Sequence, residues 1–229
     1  MTSPAIVAVK PATTAAVAVD VAVFTVRDGA LRVLLVRAPH GPFAGWWALP
    51  GGRIGAHESL DEAAHRELAA RTGLKDVYLE QLYTFGSPER DPHDRVVSVA
   101  YVALISDGGR FPTRALDAPD PGVVWQAACD VPPLAYDHAT VVDSATARLR
   151  AKLGYTNLVY TLLPHAFSLG ELQAMYEAIL GRSLDRRNFR KKVLATGLLR
   201  PLGRVRRGAH RPAALYAFRH RRPMVIAIL

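Results

Sequence analysis

The stretch that most constrains this chain is WWALPGGRIGAHESLDEAAHRELAARTGL, residues 46–74 of 229. Its spacing predicts a strand end at 46–49 and a turn at Pro50, Gly51 and Gly52, since glycine lets a backbone turn sharply and approach a ligand closely. A helix is predicted from about Ser59 to Arg71, with Leu60, Ala63, Ala64 and Leu68 recurring near the helical period to face a core. Glu58, Arg66 and Glu67 carry the charge. Five residues separate Gly52 from Glu58 and seven separate Glu58 from Arg66; Glu67, Leu68, Gly73 and Leu74 follow at fixed offsets. An ordinary amphipathic helix after a glycine turn does not require so many positions at once.

This spacing resembles the Nudix box, G-x5-E-x7-R-E-U-x-E-E-x-G-U with U aliphatic. The departure lies in the last two carboxylates, where the sequence has Ala70 and Arg71. Residues 67, 70 and 71 stand at i, i+3 and i+4 and share one helical face. Three carboxylates there form the hard-oxygen cluster on which magnesium holds a pyrophosphate. Here one carboxylate survives, one has become a methyl group and one a permanent cation. The resemblance therefore implies the fold with metal-assisted hydrolysis lost or weak. No catalytic residue and no metal ligand set is assigned, and magnesium binding is expected to be weak at most. Glu58 and Arg66 remain able to pair across the loop as a structural brace.

Half of the residues are hydrophobic, enough for a sizeable core in one or two domains. The single cysteine, Cys129, excludes a disulfide within the chain, fits a reducing cytoplasm and is expected to be a small buried apolar residue. No apolar run is long enough to span a bilayer. Residues 1–16 read as a mobile arm; Lys10 and Pro11 interrupt their apolar run, and no basic leader precedes it. Charge is unevenly placed. Residues 1–150 carry 14 Lys and Arg against 17 Asp and Glu, whereas residues 151–229 carry 15 against 3. That asymmetry argues for two units with different partners, the basic one suited to a polyanion and first to nucleic acid.

In chain order, 17–26 and 31–37 read as a Val- and Leu-rich hairpin around Arg27-Asp28-Gly29. Residues 77–85 and 96–105 are strand-like, and Asp107-Gly108-Gly109 stops the second. Residues 112–121 read as a loop, 123–125 begin a short strand and 138–153 are helical. Strands with a helix after the turn and a closing helix give an α/β sandwich. The polar loop SPERDPHDR at 87–95 is the natural place for ligand contacts, with Arg90 and Arg95 able to neutralise a pyrophosphate. Gly51, Gly52, Arg53, Glu67 and Phe85 complete the ligand-binding set. Phe43, Trp46, Trp47 and Phe85 have faces that stack on a base, although each is also an ordinary core residue. The histidines form no metal-type pair, so no zinc site is assigned.

The basic part, 154–229, changes to helices and short turns after a sensor domain at 17–153. Ser168 and Glu171 make a capping box for a helix to about Leu180. Gly181-Arg182-Ser183 breaks it, and Asp185 opens a second helix to about Ala195. Helix, glycine turn, helix is the helix-turn-helix arrangement. Phe189 and Val193 mark the buried side of DRRNFRKKVLA; Arg187 and Lys191 lie roughly opposite, flanked by Asn188 and Arg190. Arg and Asn read guanine and adenine edges in a major groove, while Arg186 and Lys192 suit phosphate. Arg204, Arg206, Arg207 and Arg211 lie in an Arg- and Gly-rich turn before the β-prone Leu215-Tyr216-Ala217-Phe218, as in a wing. RNA stays open as a partner, although no aromatic stacking motif of the single-strand RNA readers is present.

Together, the degenerate box at 52–74, QLYTFGSPERDPHDRVVSVAY at 81–101 and FSLGELQAMYEAILGRSLDRRNFRKKVLATGLL at 167–199 resemble the Nudix-related transcriptional regulators of NAD metabolism, the NrtR family. The resemblance implies a Nudix-like α/β/α sandwich followed by a mainly α winged helix-turn-helix domain. It also implies a bacterial, cytoplasmic, homodimeric repressor on double-stranded operator DNA of NAD biosynthesis or salvage genes, with ADP-ribose or a related nucleotide as effector and no cofactor. The rival expectation is an active ADP-ribose pyrophosphatase with an accessory nucleic-acid-binding domain.

Overall fold

The computed structural model describes residues 14–107, 122–207 and 212–226. Two long strands start the fold, β1 (Ala16–Arg27) and β2 (Ala30–Arg37). They turn at Asp28 and Gly29, whose φ values of 52° and 72° give the left-handed geometry that two-residue hairpins favour. There follow β3 (Trp47–Ala48), β4 (Gly51–Arg53), α1 (Leu60–Thr72), β5 (Leu79–Phe85), β6 (Val96–Leu104), β7 (Val123–Ala127) and α2 (His138–Leu153). All seven strands join one mixed sheet, with the path β3-β2-β1-β6-β5, β4 on β1 and β7 on β2. β1 runs parallel to β6 from Ala16 to Phe24. Its C-terminal end pairs with β2 and its N-terminal end with β4, so one edge of β1 is shared between two partners.

Gly51 and Gly52, expected in a turn, are instead strand residues paired with Asp20 and Val19. Neither has a positive φ; a distant strand, not local turn chemistry, sets their conformation.

Each face of the sheet carries a helix. On one, Ala63, Ala64 and Leu68 of α1 pack with Val19, Val21, Val23 and Leu34. Ser59 and Glu62 form a capping box at the start of α1, and Gly73 ends it with φ 71°. On the other, Val141, Val142, Ala145, Leu149 and Leu153 of α2 cover Ala22, Phe24, Val33 and Leu35. The expected α/β/α sandwich is the fold observed.

Beyond a 3-10 turn at Leu158–Thr161 come β8 (Phe167–Ser168), α3 (Leu169–Leu180), α4 (Arg186–Ala195), β9 (Leu199–Arg206) and β10 (Ala213–Phe218). The expected capping box at Ser168 and Glu171 is formed, Gly181 stops α3 with φ 70°, and the Asp185 carboxylate accepts from the Asn188 backbone N–H at 2.8 Å. β9 and β10 make the wing, with β8 in the order β8-β10-β9.

The charge boundary near residue 153 is not a boundary in the core. Leu172, Tyr176 and Ile179 of α3, and Phe189 and Val193 of α4, belong to one apolar cluster with Phe24, Leu35 and Leu149. Arg150 of α2 donates to the Ile179 carbonyl at 3.0 Å, at the negative end of α3. The C-terminal segment straps the linker: buried Asn157 donates to the Arg222 carbonyl at 2.9 Å and accepts from the Met224 N–H at 2.8 Å.

Cys129, expected to be buried, is exposed, because it follows the end of β7 rather than lying within it. Of the expected N-terminal arm, residues 1–13 lie outside the described residues, and Ala16 already belongs to β1. The loop at 112–121, the glycine stop at 108–109 and Arg211 also lie outside them. Among the described residues, no helix is long and apolar enough to cross a membrane.

Candidate functional site

A cleft of about 510 Å³ opens where β2 and β4 part along the edge of β1. A polar cluster is built into its floor. Asp20 is the lone acid among the apolar residues of β1 and is 5% exposed. Its carboxylate accepts from Ser98 Oγ at 2.5 Å and from Arg90 Nη2 at 3.1 Å, and lies 3.2 Å from His138 Nε2. Burial works to raise the Asp20 carboxyl; His138, Arg90 and Ser98 outweigh it and hold it at about 2, down from 3.8. Arg90 also grips Asp137, the residue preceding α2, with Nη2 at 2.8 Å and Nε at 3.1 Å. His138 Nδ1 accepts the Leu49 N–H at 3.0 Å, which leaves Nε2 to face Asp20.

The box residues form the wall. A Cβ on Gly51 would lie 2.4 Å from Asp20 Oδ1, and one on Gly52 would lie 2.3 Å from Glu67 Oε1. These glycines serve close approach, so that backbone and carboxylate share one small space. Arg66 grips Glu58 through Nε at 2.8 Å and Nη2 at 2.6 Å, and also donates to the Arg53 carbonyl at 3.1 Å. Arg66 and the Gly55 N–H hold the Glu58 carboxyl down at about 2. The expected brace between Glu58 and Arg66 is present. Gly52→Ala should destabilise the chain by about 1–3 kcal/mol, the usual range for overpacking, because two arginines restrain the Glu67 side chain it would displace. A thermal melt checks this; an unchanged midpoint would refute it.

Glu67 is buried and already neutralised. Arg66 Nη1 lies 2.6 Å from Oε1 and Arg71 Nε lies 3.5 Å from Oε2. A magnesium ion needs several oxygen ligands in near-octahedral array. Here Ala70 offers none, and the remaining carboxylate is held between two guanidinium groups, so these residues do not fit the ion that the Nudix fold implies. Among the described residues, no three His, Cys, Asp or Glu side chains gather as a metal site.

On the second surface, α4 turns Phe189 and Val193 inward, with the Phe189 ring 5.2 Å from Tyr176. Arg186, Arg187, Asn188, Arg190, Lys191 and Lys192 are all exposed, as are Arg204, Arg206 and Arg207 of the wing. Arg206 is partly committed, pairing with Glu171 at 2.6 Å and donating to the Ala166 carbonyl at 3.2 Å.

Residues 16–143 match the NUDIX domain model, and residues 159–218 match the NrtR DNA-binding winged helix domain model. The Acinetobacter baylyi ADPR responsive transcriptional repressor NtrR is 36% identical over 202 residues, covering 87% of this chain and 80% of its own. The chain belongs to the NrtR family. Shewanella oneidensis NrtR, solved in complex with a 27mer DNA, has 36% identity and a TM-score of 0.77, covering 89% of this chain and 93% of that one. The NUDIX domain of the same Shewanella protein, solved with ADP ribose, aligns with a TM-score of 0.52 and 36% identity over 61% of this chain and 93% of that one. An ADP-ribose pyrophosphatase of Methanocaldococcus jannaschii is 32% identical over 111 residues, spanning 48% of this chain and 63% of its own.

Against the sequence expectations, this NrtR cleft brings together Gly51, Gly52, Arg53, Glu67 and Arg90. It does not include Phe85 or Arg95. Phe85 sits edge-on to Tyr83 at 5.6 Å and packs against the core; Arg95 donates to the Val96 carbonyl at 3.1 Å. Arg90 is in the cleft, but Asp20 and Asp137 already occupy its guanidinium, so it organises the floor rather than standing ready for phosphate. Sequence reasoning did not place Asp20, His138, Tyr136 or Asp94 in the cleft, nor Arg71 as a lining residue. Asp20 carried a signal, being a carboxylate inside an apolar strand. Asp94 pairs with Arg53 at the rim. Phe43 stacks edge-on between Trp46 at 5.5 Å and Tyr136 at 4.8 Å, giving an aromatic corner next to the cleft.

Proposed function

We propose that this NrtR-family chain is a cytoplasmic transcriptional repressor whose hold on operator DNA is modulated by ADP-ribose, or a related nucleotide, bound but not cleaved in the Nudix cleft. The observation that carries the reading is the shared core: the sheet that floors the cleft also packs against the helix-turn-helix. The names of the Acinetobacter and Shewanella relatives support both halves, DNA and ADP-ribose. The missing carboxylates at Ala70 and Arg71 support binding without turnover.

The helix pair presents Arg187, Asn188, Arg190 and Lys191 to a major groove, and the wing offers Arg204 and Arg207 to the backbone. A two-fold dimer would match a pseudo-palindromic operator, and on this reading such operators lie before NAD biosynthesis or salvage genes. α2 is the connecting element. Its N-terminal end meets the cleft through Asp137 and His138, and its C-terminal end meets α3 through Arg150. An effector weakens DNA binding only by its differential affinity for two placements of α3 and α4.

The test is binding of labelled promoter duplex with and without ADP-ribose, together with turnover of ADP-ribose in magnesium. A nucleotide-dependent change in DNA affinity without turnover supports the reading. Steady hydrolysis would favour the pyrophosphatase alternative, to which the Methanocaldococcus relative points.

A further inference from the structure

We propose that Arg71 is a built-in replacement for the metal ion, so that this chain binds the diphosphate of its nucleotide without any divalent cation. The inference rests on the nucleotide-binding reading of the cleft given above.

Three observations lead there. Arg71 stands one helical turn after Glu67 and lines the cleft together with it, Arg53, Gly51 and Gly52. Its Nε lies 3.5 Å from Glu67 Oε2, while Arg66 Nη1 holds the other carboxylate oxygen at 2.6 Å. A cation anchored on the surviving box carboxylate and bordering the cleft is what a metal would supply; here it is covalent and permanent. Lastly, Arg71 approaches Glu67 through Nε, so that contact does not spend its two terminal nitrogens. Guanidinium groups present paired N–H donors that match phosphate oxygens.

The same geometry opposes a metal. An ion at Glu67 would have to displace two guanidinium groups and then sit beside them as a third cation, with no ligand from Ala70. Charge balance points the same way. Glu58 and Glu67 together balance Arg66 and Arg71, so the box offers no surplus anion to hold a metal.

Isothermal titration of the full chain with ADP-ribose, in EDTA and again in millimolar magnesium, tests this. We expect the same dissociation constant in both buffers. Arg71→Ala should weaken binding about tenfold to a hundredfold, with no rescue by magnesium, and Arg71→Gln should behave similarly while keeping the side-chain stem. The double variant Ala70→Glu, Arg71→Glu should bind only when magnesium is present. Wild-type binding that appears only on adding magnesium would overturn the proposal while leaving ADP-ribose as the effector, and so would folded Arg71 variants that bind as tightly as wild type. An absence of ADP-ribose binding in both buffers would overturn the effector reading and this inference with it.

Discussion

Arg90→Ala is expected to lower the unfolding free energy by about 3–5 kcal/mol at neutral pH, the range for breaking a buried ion network from one side. The Arg90 side chain is 4% exposed, and its guanidinium joins Asp20 in β1 to Asp137 at the start of α2. Alanine would leave Asp20 charged at the floor of the cleft with only Ser98 and His138 as partners, and would free Asp137. The loss should depend on pH in a definite direction. The folded Asp20 carboxyl lies below its unfolded value, at about 2 against 3.8. Its contribution is therefore complete above about pH 4 and disappears as pH falls through 4 towards 2. Arg90 supplies part of that depression, so the gap between wild type and Arg90→Ala should narrow as Asp20 takes up its proton. Urea titrations at pH 7, 4 and 3 measure it. A destabilisation under about 1 kcal/mol, or a gap that stays constant across the three pH values, would show that the network does not carry this energy.

What was legible in the sequence was local. Asp28-Gly29 between apolar runs, Ser168 with Glu171, and Gly181 before Asp185 each act within a few residues, and the structure places a hairpin turn, a capping box and a helix break there. The cleft was less legible because its parts meet from far apart. Asp20 finds Arg90, Ser98 and His138 across 70, 78 and 118 positions, and no periodicity encodes those meetings. Arg90 and Arg95 look alike in a polar loop, yet one turns inward to two carboxylates and the other stays with nearby backbone carbonyls. Gly52 reads as a turn residue until β1 is seen beside it and Glu67 behind it. The charge asymmetry speaks of the surfaces and not of the interior. Surface charge reports what a face meets in solvent, whereas Tyr176 and Ile179 are placed by the apolar face of the sheet they cover.

For α4, proposed above to read DNA, Arg187→Ala and Asn188→Ala are each expected to cost about 1–3 kcal/mol on the preferred operator and much less on scrambled duplex. Neither substitution should harm the fold. Both side chains are exposed, and α4 is capped through the backbone N–H of Asn188 and the carboxylate of Asp185, which an alanine side chain leaves intact. The buried side of the helix, Phe189 against Tyr176, is untouched. Arg207→Ala should instead weaken binding on all sequences alike and lower the salt slope by about 1, as loss of a phosphate contact does. Arg206→Ala should differ from both. Its guanidinium is shared with Glu171, so part of its charge is already neutralised at the base of α3. Its loss should reduce DNA affinity less than loss of Arg207 and should loosen the wing from α3. Gel-shift titrations of the four variants on operator and scrambled duplex, at two salt concentrations, separate these outcomes. Unchanged affinity in all four would remove α4 and the wing as the DNA-reading surface, whatever the cleft binds.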